Sequence, residues 1–147
     1  MVFSKSFGYA VRGVLYITLV QDTRQFIQAE EIASKLGVPR HFIGKILKKL
    51  VKAQVLSSSK GKTGGFATNE RTRNVLLTEL YDITDGLDSF AKCSLRLQKC
   101  DFLHPCPVHH QMESIKQNLK DILSTTSVGD LLKEDREAFI KSIATGY

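Results

Sequence analysis

Ala29-Glu-Glu-Ile-Ala-Ser-Lys-Leu-Gly-Val-Pro-Arg-His-Phe-Ile-Gly-Lys-Ile-Leu-Lys-Lys-Leu-Val-Lys-Ala53 is the stretch that decides the fold. Ile32, Leu36, Val38, Ile43 and Ile46 fall at spacings that bury one face of each of two successive helices. Two helices crossing steeply over a short turn need a small residue at their close contact, which Ala33 provides. The turn itself needs a residue tolerant of positive φ, which Gly37 provides. Pro39 opens the second helix, where its missing N–H costs little. Spacing, glycine and proline agree on a helix-turn-helix; an ordinary helical hairpin is the alternative until the next segment is read.

That segment, Val55 to Asn69, reads as a β-hairpin. Val55-Leu-Ser-Ser-Ser59 is a short strand, Lys60-Gly-Lys-Thr-Gly-Gly65 a basic glycine-rich turn, and Phe66-Ala-Thr68 the returning strand. A hairpin directly after a helix-turn-helix is a wing. A nucleotide-binding P-loop is excluded because the G-x-x-x-x-G-K-[ST] order is absent and no helix start follows Gly65.

Working outward, Phe7, Ala10, Val11, Val14, Leu15 and Thr18 predict a helix over about residues 4–21, capped by Ser4 or Ser6. A short helix over 78–85 buries Leu80 and Ile83 and ends at Gly86. From Pro107, Val108, Met112, Ile115, Leu119, Ile122 and Leu123 predict a helix of about 18 residues with one apolar stripe. A stripe that narrow, remote from the winged core, fits pairing with a symmetry mate, packing back onto the first helix, or both. A last helical segment is expected over about 134–143. The expected fold class is mainly α, an α+β winged helix-turn-helix with a long dimerisation helix. Its expected parts are a DNA-binding domain (1–86), a cysteine-rich loop (87–107), and the dimerisation helix with the C-terminal segment (108–147).

The charge is uneven. Residues 1–75 hold 13 Lys+Arg against 4 Asp+Glu, net +9, whereas residues 76–147 hold 8 against 11, net −3. A localised basic excess favours a polyanion, because each neutralised phosphate releases counterions; a merely solvated basic surface is the plain alternative. No run approaches the roughly 18–20 apolar residues of a membrane span. The longest, Gly13 to Val20, follows Arg12 and lacks a cleavage site. Three cysteines within 14 residues make a poor disulfide framework, so a reducing cytoplasm is the expected compartment.

Those cysteines form the second informative pattern, Cys93-x6-Cys100-x5-Cys106-x2-His109, just before the long helix. Thiolates are soft ligands suited to zinc, copper(I) and iron-sulfur clusters. Zinc knuckles bring ligands in close C-x2-4-C pairs, whereas these wider gaps suit a loop around a larger inorganic core. An iron-sulfur cluster, zinc and a metal-free loop all stay open on spacing alone. A Cys106–His109 nucleophile has no oxyanion loop or orienting acid to support it.

Phe7-Gly-Tyr-Ala-Val-Arg12, Ile32-Ala-Ser-Lys-Leu-Gly-Val-Pro39, Gly64-Gly-Phe66 and the three-cysteine loop, in this order and separation, make the chain resemble the Rrf2 family over about residues 1–130. That family includes iron-sulfur and nitric oxide sensing regulators. The resemblance implies a winged-helix dimer joined by the helix after the cysteine loop, with Cys93, Cys100 and Cys106 as cluster ligands. In one branch a histidine three residues after the third cysteine completes a 2Fe-2S site, and His109 stands there. In another branch the fourth ligand is an acidic residue near the partner's amino terminus, but residues 1–10 contain no Asp or Glu. The implied site is Cys3His with 2Fe-2S favoured over 4Fe-4S, although His104 and His110 compete with His109. Gln54 departs from the family, where many members have glycine before the wing.

For DNA contact, the second helix turns Arg40, His41, Gly44, Lys45 and Lys48 away from its apolar face. Arg40 and His41 are the candidates for base reading, Lys45 and Lys48 for phosphates, and Lys60 and Lys62 for the wing's contacts. The expected function is a dimeric regulator of double-stranded operator DNA, a repressor sensing redox, nitric oxide or cluster status, with no membrane role, no small-molecule substrate and no enzymatic activity. The alternatives are a member of the family without a cluster and a thiol enzyme. Retention of all three cysteines and His109 argues against the first, and the lack of a second catalytic constellation against the other.

Overall fold

Ser4 starts the first helix by accepting the backbone N–H of Phe7 on its hydroxyl at 3.0 Å, satisfying one of the donors that a helix start leaves free. The computed structural model describes residues 2–21, 25–97, 100–133, 138 and 141–143. In chain order the elements are α1 (Lys5–Val20), α2 (Ala29–Leu36), α3 (Arg40–Lys52), β1 (Leu56–Ser59), β2 (Gly65–Thr68), α4 (Leu77–Thr84), α5 (His109–Thr125) and α6 (Val128–Leu131). Short 3-10 turns lie at Thr72–Asn74 and Leu87–Ala91. The fold is mainly α with one two-stranded antiparallel sheet, as the sequence pattern predicted.

The helix-turn-helix is α2 and α3. Gly37 takes the left-handed conformation (φ 62°, ψ 37°) and its N–H caps the α2 carbonyls. Pro39 stands one position earlier than expected. It is the cap residue of α3, in extended conformation, and its carbonyl receives the N–H groups of Phe42 and Ile43. Ile32, Leu36, Ile43, Leu47 and Leu50 are fully buried with Val14 and Ile17 of α1 and Leu80 of α4. The Arg12 guanidinium reaches two distant segments at once, donating to the carbonyl of Leu36 at the end of α2 and, at 3.1 and 2.9 Å, to that of Ile143.

The wing pairs Leu56 with Thr68 through Ser59 with Gly65. Ile27 adds a bridge that the sequence did not announce, exchanging backbone hydrogen bonds of 2.9 and 2.8 Å with Phe66. This close approach requires Gly65: its φ is +138°, and a Cβ there would stand 2.3 Å from the Ile27 carbonyl oxygen. Buried Thr72 locks the wing base, donating to the Val55 carbonyl at 2.7 Å and accepting the Asn69 N–H at 2.9 Å.

The long helix forms as expected, but its apolar stripe divides. Leu123 is buried, and Met112 and Leu119 are half-buried, on the side of α5 that meets the body through α4. Ile115 and Ile122 are 50% and 56% exposed, and Val108 lies with them on the outer side. The predicted segment 134–143 lies largely outside the described residues.

Two substitutions test the backbone. Gln54 holds φ 61° directly after α3, a conformation that costs an L-residue about 1–2 kcal/mol. Gln54→Gly should raise the unfolding free energy by about 0.5–1 kcal/mol, after allowing for glycine's freer unfolded chain. Gly65→Ala should lower it by at least ~2 kcal/mol. Urea denaturation of the two variants and wild type reads both shifts.

Candidate DNA interface and thiol centre

Because Ile43, Ile46, Leu47 and Leu50 face inward, α3 exposes Arg40, His41, Phe42, Lys45, Lys48, Lys49 and Lys52. Gly44 is buried, contrary to its predicted outward role. The nearest atom to a Cβ built there is Nη1 of Arg40, at 3.5 Å, so the surface at this turn is presented by the arginine. Glu30 of α2 accepts the Arg40 Nε–H on Oε1 at 2.8 Å, and Nη2 stands 2.7 Å from the same oxygen in an ion pair. The Glu30 carboxyl is held below its ordinary pKa, first by its own backbone N–H and then by the Arg40 guanidinium.

His41 stacks against Phe42 with ring centroids 4.2 Å apart, and Phe42 is 51% exposed. Phe42 was missed by reading only polar side chains. Its place one residue before Ile43 already put it off the apolar face. Lys60 and Lys62 are exposed on the wing turn, and the Lys62 carbonyl accepts the Gln28 side-chain amide at 2.7 Å, tying the wing to the start of α2. Between α3 and the wing runs a groove lined by Glu30, Arg40, Lys48, Gly61 and Gly64. A helix with an exposed basic face beside a basic hairpin can follow a phosphate backbone while its N-terminal side chains meet base edges.

At the opposite end of the sequence, the loop before α5 brings its cysteines together. The three Sγ atoms of Cys93, Cys100 and Cys106 all lie within 4.8 Å of one another, each half-buried and none in a disulfide. His109, in the first turn of α5, borders this trio: its Nδ1 is 3.3 Å from Cys100 Sγ, and its Nε2 is buried without a hydrogen-bond partner. Ala91, Met112 and Glu113 wall the small space beside the thiols. The Cys93 thiol is pushed down, chiefly by the backbone N–H of Leu97, with Leu95 and the other two thiols assisting against partial burial. At Cys100 the backbone N–H of Cys106 is the largest influence and lowers its pKa, but burial and the neighbouring thiols together push it up. The thiolate is thus favoured at Cys93, and Cys100 beside it ionises less readily unless a cation compensates the pair.

His104 and His110, the competing histidines, stand apart from the trio. His104 pairs with Asp101 at 3.3 Å and is exposed, and His110 is exposed on α5 with its ring edge-on to His109. Among the described residues no helix is long and apolar enough to cross a membrane.

The chain is similar to known transcriptional regulators. The chain is 30% identical over 142 residues to an HTH-type transcriptional regulator of Aquifex aeolicus (strain VF5), covering 95% of this chain and 97% of that one. It is 32% identical over 107 residues to an rrf2-like HTH-type regulator of Rhodobacter capsulatus, covering 70% and 71% of the two. Among solved structures, T. potens IscR superposes with a TM-score of 0.69 at 19% identity, covering 100% of this chain and 95% of that one. CymR, the global cysteine regulator of B. subtilis, superposes at 0.70 with 15% identity, covering 89% and 95%. The sequence model of the Rrf2 family, described as iron-dependent transcriptional regulator, matches residues 3–134, and the chain belongs to that family of DNA-binding transcriptional regulators.

Proposed function

We propose that this regulator acts as a cytoplasmic homodimer on double-stranded operator DNA, as a repressor, and that Cys93, Cys100, Cys106 and His109 hold an iron-sulfur cluster of the 2Fe-2S type. The observation that carries the reading is the donor set. Three free thiols converge within 4.8 Å of one another, beside an imidazole with one nitrogen against Cys100 and the other buried without a partner. Thiolates and an imidazole nitrogen are the donors that soft and borderline metals prefer, and the residues fit a metal group held by the three sulfurs and the Nδ1 beside Cys100. When bound, such a cluster supplies one-electron chemistry and reactivity toward oxygen or nitric oxide. The family's description as iron-dependent supports iron over other metals.

The chain's own residues do the rest. Arg40 and His41 meet base edges, Lys45, Lys48, Lys60 and Lys62 meet phosphates, and Gly44 lets Arg40 lie flat on α3. Lys116 Nζ donates to the Lys92 carbonyl at 2.7 Å, so α5 holds the entry to the thiol loop. Val108, Ile115 and Ile122 form the exposed stripe that pairs with a second copy. With half-sites about one DNA turn apart, the spacing of two α3 helices depends on how the two α5 helices pair.

One further observation favours a second reading. Thiols this close match a single tetrahedral zinc, whose bonds of about 2.3 Å bring sulfurs to about 3.8 Å. Metal and sulfide analysis of anaerobically isolated protein separates the two. Iron and acid-labile sulfide in a ratio near one is expected, and stoichiometric zinc without iron would replace the cluster reading. Cys106→Ala and metal-free protein should lose about tenfold or more in operator affinity while weak, salt-sensitive binding to unrelated DNA persists, because the latter rests on lysines. Salt titrations on both duplexes measure this, and identical operator curves would uncouple the thiol centre from DNA. Ile115→Lys should weaken dimerisation by burying an unpaired charge, which sedimentation at micromolar concentration reads directly.

A further inference from the structure

Glu30 is an acid on the face that this regulator turns toward phosphates. Around it the groove between α3 and the wing carries Arg40 and Lys48. A carboxylate there opposes non-specific attraction to DNA. Nor does its ion pair explain its presence through stability, since Arg40 and Glu30 side chains are 58% and 62% exposed and such pairs contribute little. What the pair does is geometric. By accepting the Nε–H and holding Nη2 2.7 Å from the same oxygen, Glu30 restrains the plane of the guanidinium. The Nη1 hydrogens and the second Nη2 hydrogen remain as a free two-nitrogen edge. Gly44 lies beside the guanidinium, with Nη1 3.5 Å from where a Cβ would stand.

We propose that Glu30 is a positioning residue for sequence reading: it aims the free edge of Arg40 at a guanine in the major groove. Guanine alone offers two adjacent acceptors, O6 and N7, that match a guanidinium edge in a bidentate pair. An arginine free to rotate would equally reach a phosphate, which carries no sequence information. Holding it leaves fewer such alternatives and lowers the ordering cost of the base contact. This inference rests on the reading that α3 enters the major groove.

The test is enrichment from a random duplex pool by full-length wild type, Glu30→Ala and Arg40→Ala, with thermal melting of each to show that these exposed positions leave the fold intact. Wild type should enrich a guanine at one symmetric pair of positions, and Arg40→Ala should lose that preference by about tenfold. Glu30→Ala should reduce the same preference by about threefold to tenfold, leave the other positions unchanged, and bind unrelated duplex as well as or better than wild type. A consensus unchanged by Glu30→Ala would overturn the proposal, as would equal weakening on every sequence, the mark of a merely structural role. Loss of a cytosine preference that Arg40→Ala retains would also overturn it, making Glu30 itself the reader. Failure of the wild type to enrich any sequence would defeat the DNA reading and this inference with it.

Discussion

The contact on which the rest of the molecule depends is between α1 and α3, where Gly13 has no side chain. A Cβ at that position would stand 3.3 Å from both Ile43 Cδ1 and Leu47 Cδ2. Its absence lets α3 lie close along α1, and Ile43, Leu47 and Leu50 vanish from solvent. Full burial of each contributes about 1.5–3 kcal/mol, so rolling α3 by one residue, which would expose them, is prohibitive on the scale of a domain's total stability. The basic face is therefore oriented by the core. Arg40, Lys45 and Lys48 point outward because their neighbours cannot.

Besides the Arg12–Ile143 contact, the second half of the chain is fastened to the first at the C-terminal end of α5. Leu77 N–H donates to the Thr126 carbonyl and Val128 N–H to the Val75 carbonyl, both at 2.9 Å. Ser127 and Asp130 form a reciprocal capping box that restarts the chain as α6, and Gly129 lets it pass against the Arg73 carbonyl oxygen. With Leu123 and Val128 buried on either side, the C-terminal end of α5 moves with the winged domain. Its N-terminal end carries His109 and the thiol loop. A 17-residue helix is a stiff rod of about 25 Å, and it links the thiol loop at one end to this joint at the other.

How much of this was legible in the sequence follows from how local each cause is. The helix-turn-helix, the wing and the cap at Ser4 were readable because glycine, proline and serine state backbone conformations on their own. The thiol trio was readable as a set because the ligand type announces itself. Its closeness was not, since loop paths depend on tertiary contacts such as Lys116 on Lys92. The Ile27–Phe66 bridge escaped because Phe26-Ile27 is too short an apolar pair, between two glutamines, to show strand periodicity. The burial of Gly44 and the grip of Glu30 on Arg40 escaped for a related reason. A helical-wheel reading knows which way a Cα faces, but not that the arginine one turn earlier will lie across it toward an acid ten residues back.

The apolar stripe shows the same limit and carries a consequence. Periodicity joined Val108, Met112, Ile115, Leu119, Ile122 and Leu123 into one surface, but the fold spends Leu123, and in part Met112 and Leu119, on the body of the molecule. What stays outside is Val108, Ile115 and Ile122, seven residues apart, each followed three positions later by an exposed polar residue, Gln111, Asn118 and Thr125. A heptad seam apolar at only one of its two positions buries much less than a full coiled coil, so pairing through it is modest in strength and sensitive to register. Its first apolar member, Val108, stands two residues after Cys106. The same short piece of backbone thus sets both the start of the pairing face and the position of a thiol. In the proposed dimer, a rearrangement of the thiol loop would therefore act on that face without passing through the core.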